Sequence, residues 1–546
     1  MIKLKPNLVL KNASVYTVDG ERSWAQAIAI SGDKIIIVGT NKEVDTYIDS
    51  NTDIIDLEGK MVLPGFVDAH AHPSHAMYLV VSINLHSLVS IELYQKTITD
   101  FVESHPNAEA FKGGGWADEL FPKLGPSKEI LDAIVPDRPI SLVSYDGHSL
   151  WVNSVTLERA GITKDTPNPE GSIIERDPVT GEPSGTLREE AMKLVEHVIP
   201  DYSLEERKTA LIAYQEMAAQ AGITLVHDAM VDAQSIAAFK ELEAESQLKM
   251  RFRSSITMDP DQGIEGQIQT VLHERSKNTG AYFQTNTAKI FIDGVIEGGT
   301  AYLFEPYEHK PGFRGEPIWG PEALNSMCAA LDKGNIQIHV HVIGDAAACI
   351  TLDALEYAYE INGKRDSRHL ITHLQLVRPE DILRFKQLGV IGVPQPFWFK
   401  IDEYYWELAL PYLGKERADL QYPMQSFIDA GVIMASASDF PVTVPFDPVI
   451  AIQLGITRSE IGKTTEEILW PEERAGLEDM ITSFTTNGAY ANFLENETGS
   501  IEVGKQADLI VLDQNLFEIP PTEIADSKVL LTLVDGESVY RDPAFS

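Results

Sequence analysis

Cysteine is nearly missing: Cys328 and Cys349 are the only two in 546 residues. Both lie in helix-like runs, which excludes a disulfide framework and a cysteine-rich zinc module and points to a reducing, cytoplasmic compartment. Long apolar runs are missing too. No stretch approaches the roughly 18 consecutive apolar residues that span a bilayer. The opening segment MIKLKPNLVLKNASVYTVDG alternates apolar and polar residues where a secretory signal would have an unbroken apolar core. Positive charge is scarce, with 44 Lys plus Arg against 82 Asp plus Glu and a net charge of −38. Such a surface repels phosphate, so nucleic acid and anionic membranes are excluded as partners. There is no internal repeat and no low-complexity tract. What remains, 44% apolar and 23% charged residues, is the make-up of a soluble globular protein. Its length suits one large domain with an accessory domain, or several smaller ones. A small molecule is the expected partner, and homo-oligomerisation is left open.

Residues 1–60 read as a small β unit. NLVLKNASVYTV and AIAISGDKIIIVG carry strand patterning, broken at Asp19-Gly20 and Ser31-Gly32-Asp33. From Gly222 onward, apolar runs alternate with amphipathic stretches, the pattern of a parallel sheet with helical crossovers. The runs are GITLVHDA, AKIFIDG, IQIHVHVIGD, HLITHL, VIGVPQP and VIMASASD. Adding MVLPGFVDAH near residue 65 and RPISLVSYDG near residue 142 gives about eight strands, the number that closes a (β/α)8 barrel. A doubly wound open sheet is the alternative. Residues 61–490 are assigned to the barrel, with an insertion at about 76–220 that includes the turn-rich PNPEGSIIERDPVTGEPSG. Such an insertion is a candidate lid or a surface embellishment. Residues 491–546 return to strands, and the simplest economy joins them to the amino-terminal β unit.

His70 and His72 end an apolar run, and alternate strand residues share a face, so both imidazoles can reach one metal ion. Alone, the pair is weak evidence, since a chain with 14 histidines yields one by chance in roughly one case of three. A lone histidine is more often a core residue bonded to a carbonyl. A second pair, His339 and His341, closes IQIHVHVIGD. His341 is the preferred ligand because it lies nearer the carboxyl end of its strand, where barrel sites form. His373 and Asp439 end two further strands. Four strand ends carrying metal-binding residue types are far harder to obtain by chance than any single motif. Lys289 opens AKIFIDG between apolar neighbours. If it faces the barrel interior beside a dication, desolvation and like-charge repulsion favour the neutral amine. A neutral amine takes up carbon dioxide as a carbamate, an anionic ligand able to bridge two metals; the alternative is a lysine paired with a carboxylate at the rim. In GGGWADEL the glycines permit close backbone approach and Trp116 offers an apolar wall to a ligand, or the tryptophan is a core residue on a glycine turn. Asp345 is expected to cap the helix that follows His341, and Asp228 is left unassigned.

The segments LPGFVDAHAHP, GGGWADEL, DGHSLWVNS, HVIGDAA, THLQ, SASDFPV and GSIEVGKQADLIVLD resemble the metal-dependent amidohydrolase superfamily, in the branch that includes N-substituted formamide deformylase. The resemblance runs through nearly the whole chain. It implies a (β/α)8 barrel with a β-sandwich made from both termini, and one or two divalent ions, usually zinc. Carried over by position, His70 and His72 match ligands of the first strand and Lys289 the lysine of the fourth. His341 and His373 match ligands of the fifth and sixth strands, and Asp439 the aspartate of the eighth. Trp116 and His148 match positions near the substrate. Some relatives bind a single metal and lack the carbamate.

The reaction that follows is hydrolysis of a non-peptide carbon–nitrogen bond, with an N-substituted formamide as a candidate substrate, by metal-activated hydroxide. Asp439 takes the proton from water and returns it to the departing nitrogen, and His148 steadies the oxyanion. Deamination of an aminated heterocycle or amidine would use the same centre. A non-catalytic scaffold that retains the fold is the reading from another class.

Overall fold

In the computed structural model, the described residues are 5–86, 88–145, 149–169, 172–463 and 467–545. The chain forms two compact units, Met1–Pro73 with Tyr214–Ser546, and Ser74–Ala213.

Seven strands of the larger unit form one parallel sheet. In chain order they are β1 (Phe66–Ala71), β2 (Ile223–Asp228), β3 (Arg251–Thr257), β4 (Phe283–Phe291), β5 (Gln337–Val342), β6 (Leu370–His373) and β7 (Ile391–Val393). Most of their side chains are buried on both faces, as expected where helices cover a parallel sheet. The gap between β7 and β1 is bridged by residues 433–440, which are not a regular strand. On one side, Gly392 N–H donates to Ile433 O at 3.0 Å and Ala437 N–H to Pro394 O at 3.0 Å. On the other, Asp439 N–H donates to His70 O at 2.8 Å and His72 N–H to Phe440 O at 2.6 Å. The result is a nearly closed barrel of TIM type.

Two strand assignments are corrected. The segment near residue 142 is a strand, Ile140–Ser144, but it belongs to the sheet of the smaller unit. Its place in the barrel is taken by β3, whose sequence RFRSSIT carries two arginines that hide its burial from a hydropathy reading. The run MVLPGFVDAH is continuous in apolarity yet divides at Gly65. Met61–Pro64 pairs antiparallel with Leu509–Leu512, and Phe66–Ala71 enters the barrel. A Cβ at Gly65 would sit 2.3 Å from the Thr224 side chain, so the chain can cross between sheets there only without one.

Both chain ends share a six-stranded sheet, ordered Glu537–Arg541, Val529–Val534, Leu509–Leu512, Met61–Pro64, Ser14–Tyr16, Trp24–Ala25. A four-stranded sheet contains Leu8–Lys11, Ala27–Ser31, Lys34–Gly39 and Asp53–Asp56. One apolar cluster draws on both, with Leu10, Ile28 and Ile30 beside Val62, Leu509 and Leu531.

The smaller unit has a six-stranded sheet of its own, and against it packs the helix Ile91–Ser104, whose Tyr94, Ile98 and Val102 are buried at helical spacing. Ser90 caps that helix by accepting from Leu93 N–H at 3.3 Å. Among the described residues, no helix is long and apolar enough to cross a membrane.

Candidate metal centre

The barrel strands end together, and their register aligns the side chains that matter. Lys289 pairs with His339, Phe291 with His341 and Val342 with His373. Strand alternation turns His339 and His341 to the same face, as it does Asp68 and His70. The ligand atoms of His70, His373 and Asp439 lie within 4.8 Å of one another, and all three residues are buried. His72 and His341 adjoin them. His72 Nε2 is 3.2 Å from Asp439 Oδ1, and the His341 and His373 ring centroids are 4.5 Å apart. Lys289 is fully buried, its amine 4.8 Å from the Phe291 ring centroid.

The donor set suits a divalent ion. Asp439 Oδ1 is 3.1 Å from His70 Nε2 and 3.2 Å from His72 Nε2. Three ligand atoms thus converge on one buried point. Lys289 Nζ is buried with no hydrogen-bond partner, a costly state for an ammonium. Burial, offset in part by Asp439, brings its pKa down to about 7, so a large fraction is the neutral amine at neutral pH. Burial and then the His341 ring bring His373 to about 3; burial and then Lys289 bring His341 to about 3. Burial and then Lys289 hold His70 well below the usual range. Neutral imidazole is the form that ligates. Burial opposes the charge on Asp439, but side-chain hydrogen bonding from His70 and His72 outweighs it and keeps the carboxyl well below the carboxylate range.

The backbone is also unusual here. His373 has φ +73° and Asp439 φ +63°, the left-handed region that costs a non-glycine residue roughly 1–2 kcal/mol. Such outliers persist where the surroundings over-determine them, as around a functional site.

Several residues that support this arrangement were not singled out by the sequence. Asp68 Oδ1 accepts from His70 N–H at 3.3 Å and Ser438 N–H at 3.0 Å, and its other oxygen accepts from the Ser438 hydroxyl, which ties β1 to the closing segment. Asp293 is buried, accepts from the backbone N–H groups of Tyr302, Ile343 and Gly344, and lies 3.5 Å from His341 Nδ1. Gln395 Oε1 is 3.0 Å from His373 Nδ1. For Asp68 a signal was present, an acidic residue on the same strand face two places before His70. No comparable local signal marks Asp293 or Gln395.

Other sequence expectations fall differently. Trp116 is enclosed in the core of the smaller unit, its indole N–H donating to Leu142 O at 2.7 Å and its ring 5.8 Å from that of Phe121. It is a core tryptophan on a glycine turn, with no exposed ring surface to offer a ligand. The glycines beside it serve packing between strands. A Cβ on Gly113 would meet Ile83 O at 2.0 Å and one on Gly114 the Val143 side chain at 2.3 Å. His148 lies outside the described residues. Asp345 opens the helix Asp345–Asn362 from within, and its Oδ1 accepts from Phe304 and Ala346 N–H.

A TIM-type barrel whose strand ends gather imidazoles, an aspartate and a buried lysine fits the class of metal-dependent hydrolases. The chain belongs to the amidohydrolase family, whose model matches residues 53–540. It is 30% identical to Protein LONG AFTER FAR-RED 3 of Arabidopsis thaliana, over 98% of this chain and 91% of that protein. It is 28% identical to N-substituted formamide deformylase of Arthrobacter pascens, over 98% of each. The fold matches an uncharacterized metal-dependent hydrolase from Pyrococcus horikoshii OT3 with a TM-score of 0.77 and 22% identity, covering 94% of this chain and 99% of that one. The protein is accordingly a metal-dependent hydrolase of carbon–nitrogen bonds other than peptide bonds, acting on a small molecule.

Proposed function

We propose that the substrate is a non-peptide amide of the N-substituted formamide class, and that His70, His72, Lys289, His341, His373 and Asp439 hold one or two divalent ions, zinc foremost. The observation that carries this reading is the convergence of His70 Nε2 and His72 Nε2 on Asp439 Oδ1 within 3.2 Å, with the His373 ligand atom within 4.8 Å of those of His70 and Asp439. Imidazole nitrogen and carboxylate oxygen in a closed, buried set are the ligands zinc prefers. When bound, the ion lowers the pKa of water to about 7 and polarises the substrate carbonyl.

The chain's own residues do the rest. Asp439, held ionised, receives the proton from the attacking water and delivers it to the departing nitrogen, because amines leave poorly as anions. Lys289 supplies its neutral amine to carbon dioxide, releasing one proton and forming an anionic carbamate. That would explain a buried, unpartnered lysine among neutral imidazoles. His148 is assigned to the oxyanion. The terminal sheets, from residues 1–60 and 491–546, are read as one β-sandwich domain beside the barrel of 61–490 with its insertion at about 76–220.

The test is metal analysis of the purified chain, followed by turnover of a panel of N-substituted formamides, longer acyl amides, cyclic amides and aminated heterocycles. Preferential release of formate from formamides supports the reading. Ammonia released only from heterocycles would replace it with a deaminase, and a metal-free chain active on formamides would overturn the site.

A further inference from the structure

The three buried imidazoles of the metal centre differ in what lies beside Nδ1. Two have a hydrogen-bond partner at Nδ1, His70 with His339 Nε2 at 2.8 Å and His373 with Gln395 Oε1 at 3.0 Å, whereas His341 Nδ1 has no hydrogen bond and lies 3.5 Å from Asp293 Oδ1. A partner at Nδ1 fixes the tautomer and leaves Nε2 for the ion. For His373 the partner atom is an amide oxygen, which can only accept. For His70 it is a second imidazole, whose role depends on its own tautomer.

We propose that His339 is a positioning residue for the metal centre. Its Nε2 accepts the Nδ1–H of His70, locking His70 as the tautomer whose Nε2 lone pair faces Asp439 and the ion. This rests on the metal-site reading above.

Three observations carry it. His339 is completely buried on β5, in register with Lys289 and two residues deeper than His341. With Nε2 committed to His70 it is not itself a ligand. Its Nδ1 has no hydrogen-bond partner. In the tautomer the proposal requires, that nitrogen carries a buried, unmatched N–H, a state an apolar side chain would avoid. The histidine at this depth is explained by the acceptor it presents to His70. Finally, the His339 ring is held in place. It packs edge to face with His227 at 5.0 Å between centroids, and His227 is pinned at both nitrogens, by Asn492 Oδ1 at 2.8 Å and Ser255 Oγ at 2.7 Å. A glutamine at 339 could present an acceptor to His70. A leucine could not.

The experiment measures zinc affinity of the metal-free full-length protein by competition with a chromophoric chelator, and the visible absorption spectrum of its cobalt form. For His339→Leu the expectation is zinc binding weaker by about ten- to a hundredfold, the usual cost of losing such a partner, together with an altered cobalt spectrum. His339→Gln should recover most of the affinity and the wild-type spectrum. Circular dichroism and urea unfolding of the metal-free chains verify the fold. Should the leucine chain not fold, His339→Met replaces it in the same comparison. Wild-type affinity and spectrum in a folded apolar variant overturn the proposal, as does a glutamine variant as weak as the apolar one. A wild-type chain that takes up no divalent ion overturns the metal-site reading and this inference with it, which separates the two failures.

Discussion

Lys289→Met should make the metal-free protein more stable while destroying its activity. Lys289 is fully buried, and its pKa falls from an ordinary 10.5 to about 7 because burial disfavours the ammonium. Between pH 7 and 10.5 the unfolded chain binds this proton and the folded chain does not, so stability rises with pH across that window. Below pH 7 both states are protonated and the fold carries the whole penalty. A difference of about 3.5 pK units is on the order of 5 kcal/mol. Methionine has nearly the same length and no charge, so it removes the penalty and its pH dependence together. The assay is urea unfolding of both chains, metal-free and depleted of carbon dioxide, at intervals from pH 6.5 to 9.5. The wild-type midpoint should lie well below that of the variant at pH 6.5 and approach it by pH 9.5. Parallel profiles would refute the burial argument. The same variant, reloaded with zinc, should lose turnover, and mild acid treatment of the wild type should be reversed by bicarbonate with metal. Retained turnover would remove the carbamate without touching the stability result.

Other outcomes can be checked more briefly. The double substitution His70→Ala, His72→Ala should abolish both bound metal and hydrolysis, and full metal content in that chain by elemental analysis would contradict the ligand assignment. Trp116→Ala should destabilise the smaller unit by about 3–5 kcal/mol, the usual cost of emptying an aromatic core position. A chain of unchanged thermal stability but raised KM would instead return Trp116 to the substrate.

Much of the barrel was legible because its strands are short apolar runs separated by amphipathic helices, and six of the eight wall segments announce themselves that way. RFRSSIT fails because Arg251 and Arg253 are buried charges. Arg251 is neutralised by Asp508 and Asp535, partners more than 250 residues away that no local window contains. MVLPGFVDAH fails because apolarity records burial and not which sheet buries it; the break is set by a glycine meeting Thr224 from another strand. The metal centre follows the same division. His70, His72, His341, His373 and Asp439 are visible as residues at strand ends, whereas the contacts of Asp293 and Gln395 and the pairing of His70 Nδ1 with His339 Nε2 exist only once the strands are in register. Trp116 was misleading for a related reason, since a glycine-flanked tryptophan has the same sequence whether its neighbours are a ligand or two strands.

Asp439→Asn separates proton transfer from packing. The amide has nearly the shape of the carboxylate but cannot take up a proton from water at neutral pH, so the turnover number should fall at least about a hundredfold, the lower end of what positioned acid–base catalysis contributes. That corresponds to about 2.7 kcal/mol on the barrier. The carboxyl is also close to two imidazole nitrogens, at 3.1 and 3.2 Å, so its loss weakens the ligand set, and rates must be compared at saturating zinc with metal content measured in the same samples. Buried neutral histidines remain, because burial is the largest influence on His70, His341 and His373, and the site therefore keeps imidazole ligands after the change. Because Asp439 is ionised throughout the neutral range, the wild-type rate should not fall between pH 8 and 6 through this group, and any acid limb there must belong to another ionisation. A metal-replete asparagine chain that hydrolyses formamides near the wild-type rate would place the proton shuttle on a different residue. A chain whose rate falls only in proportion to lost zinc would leave Asp439 as a ligand and nothing more.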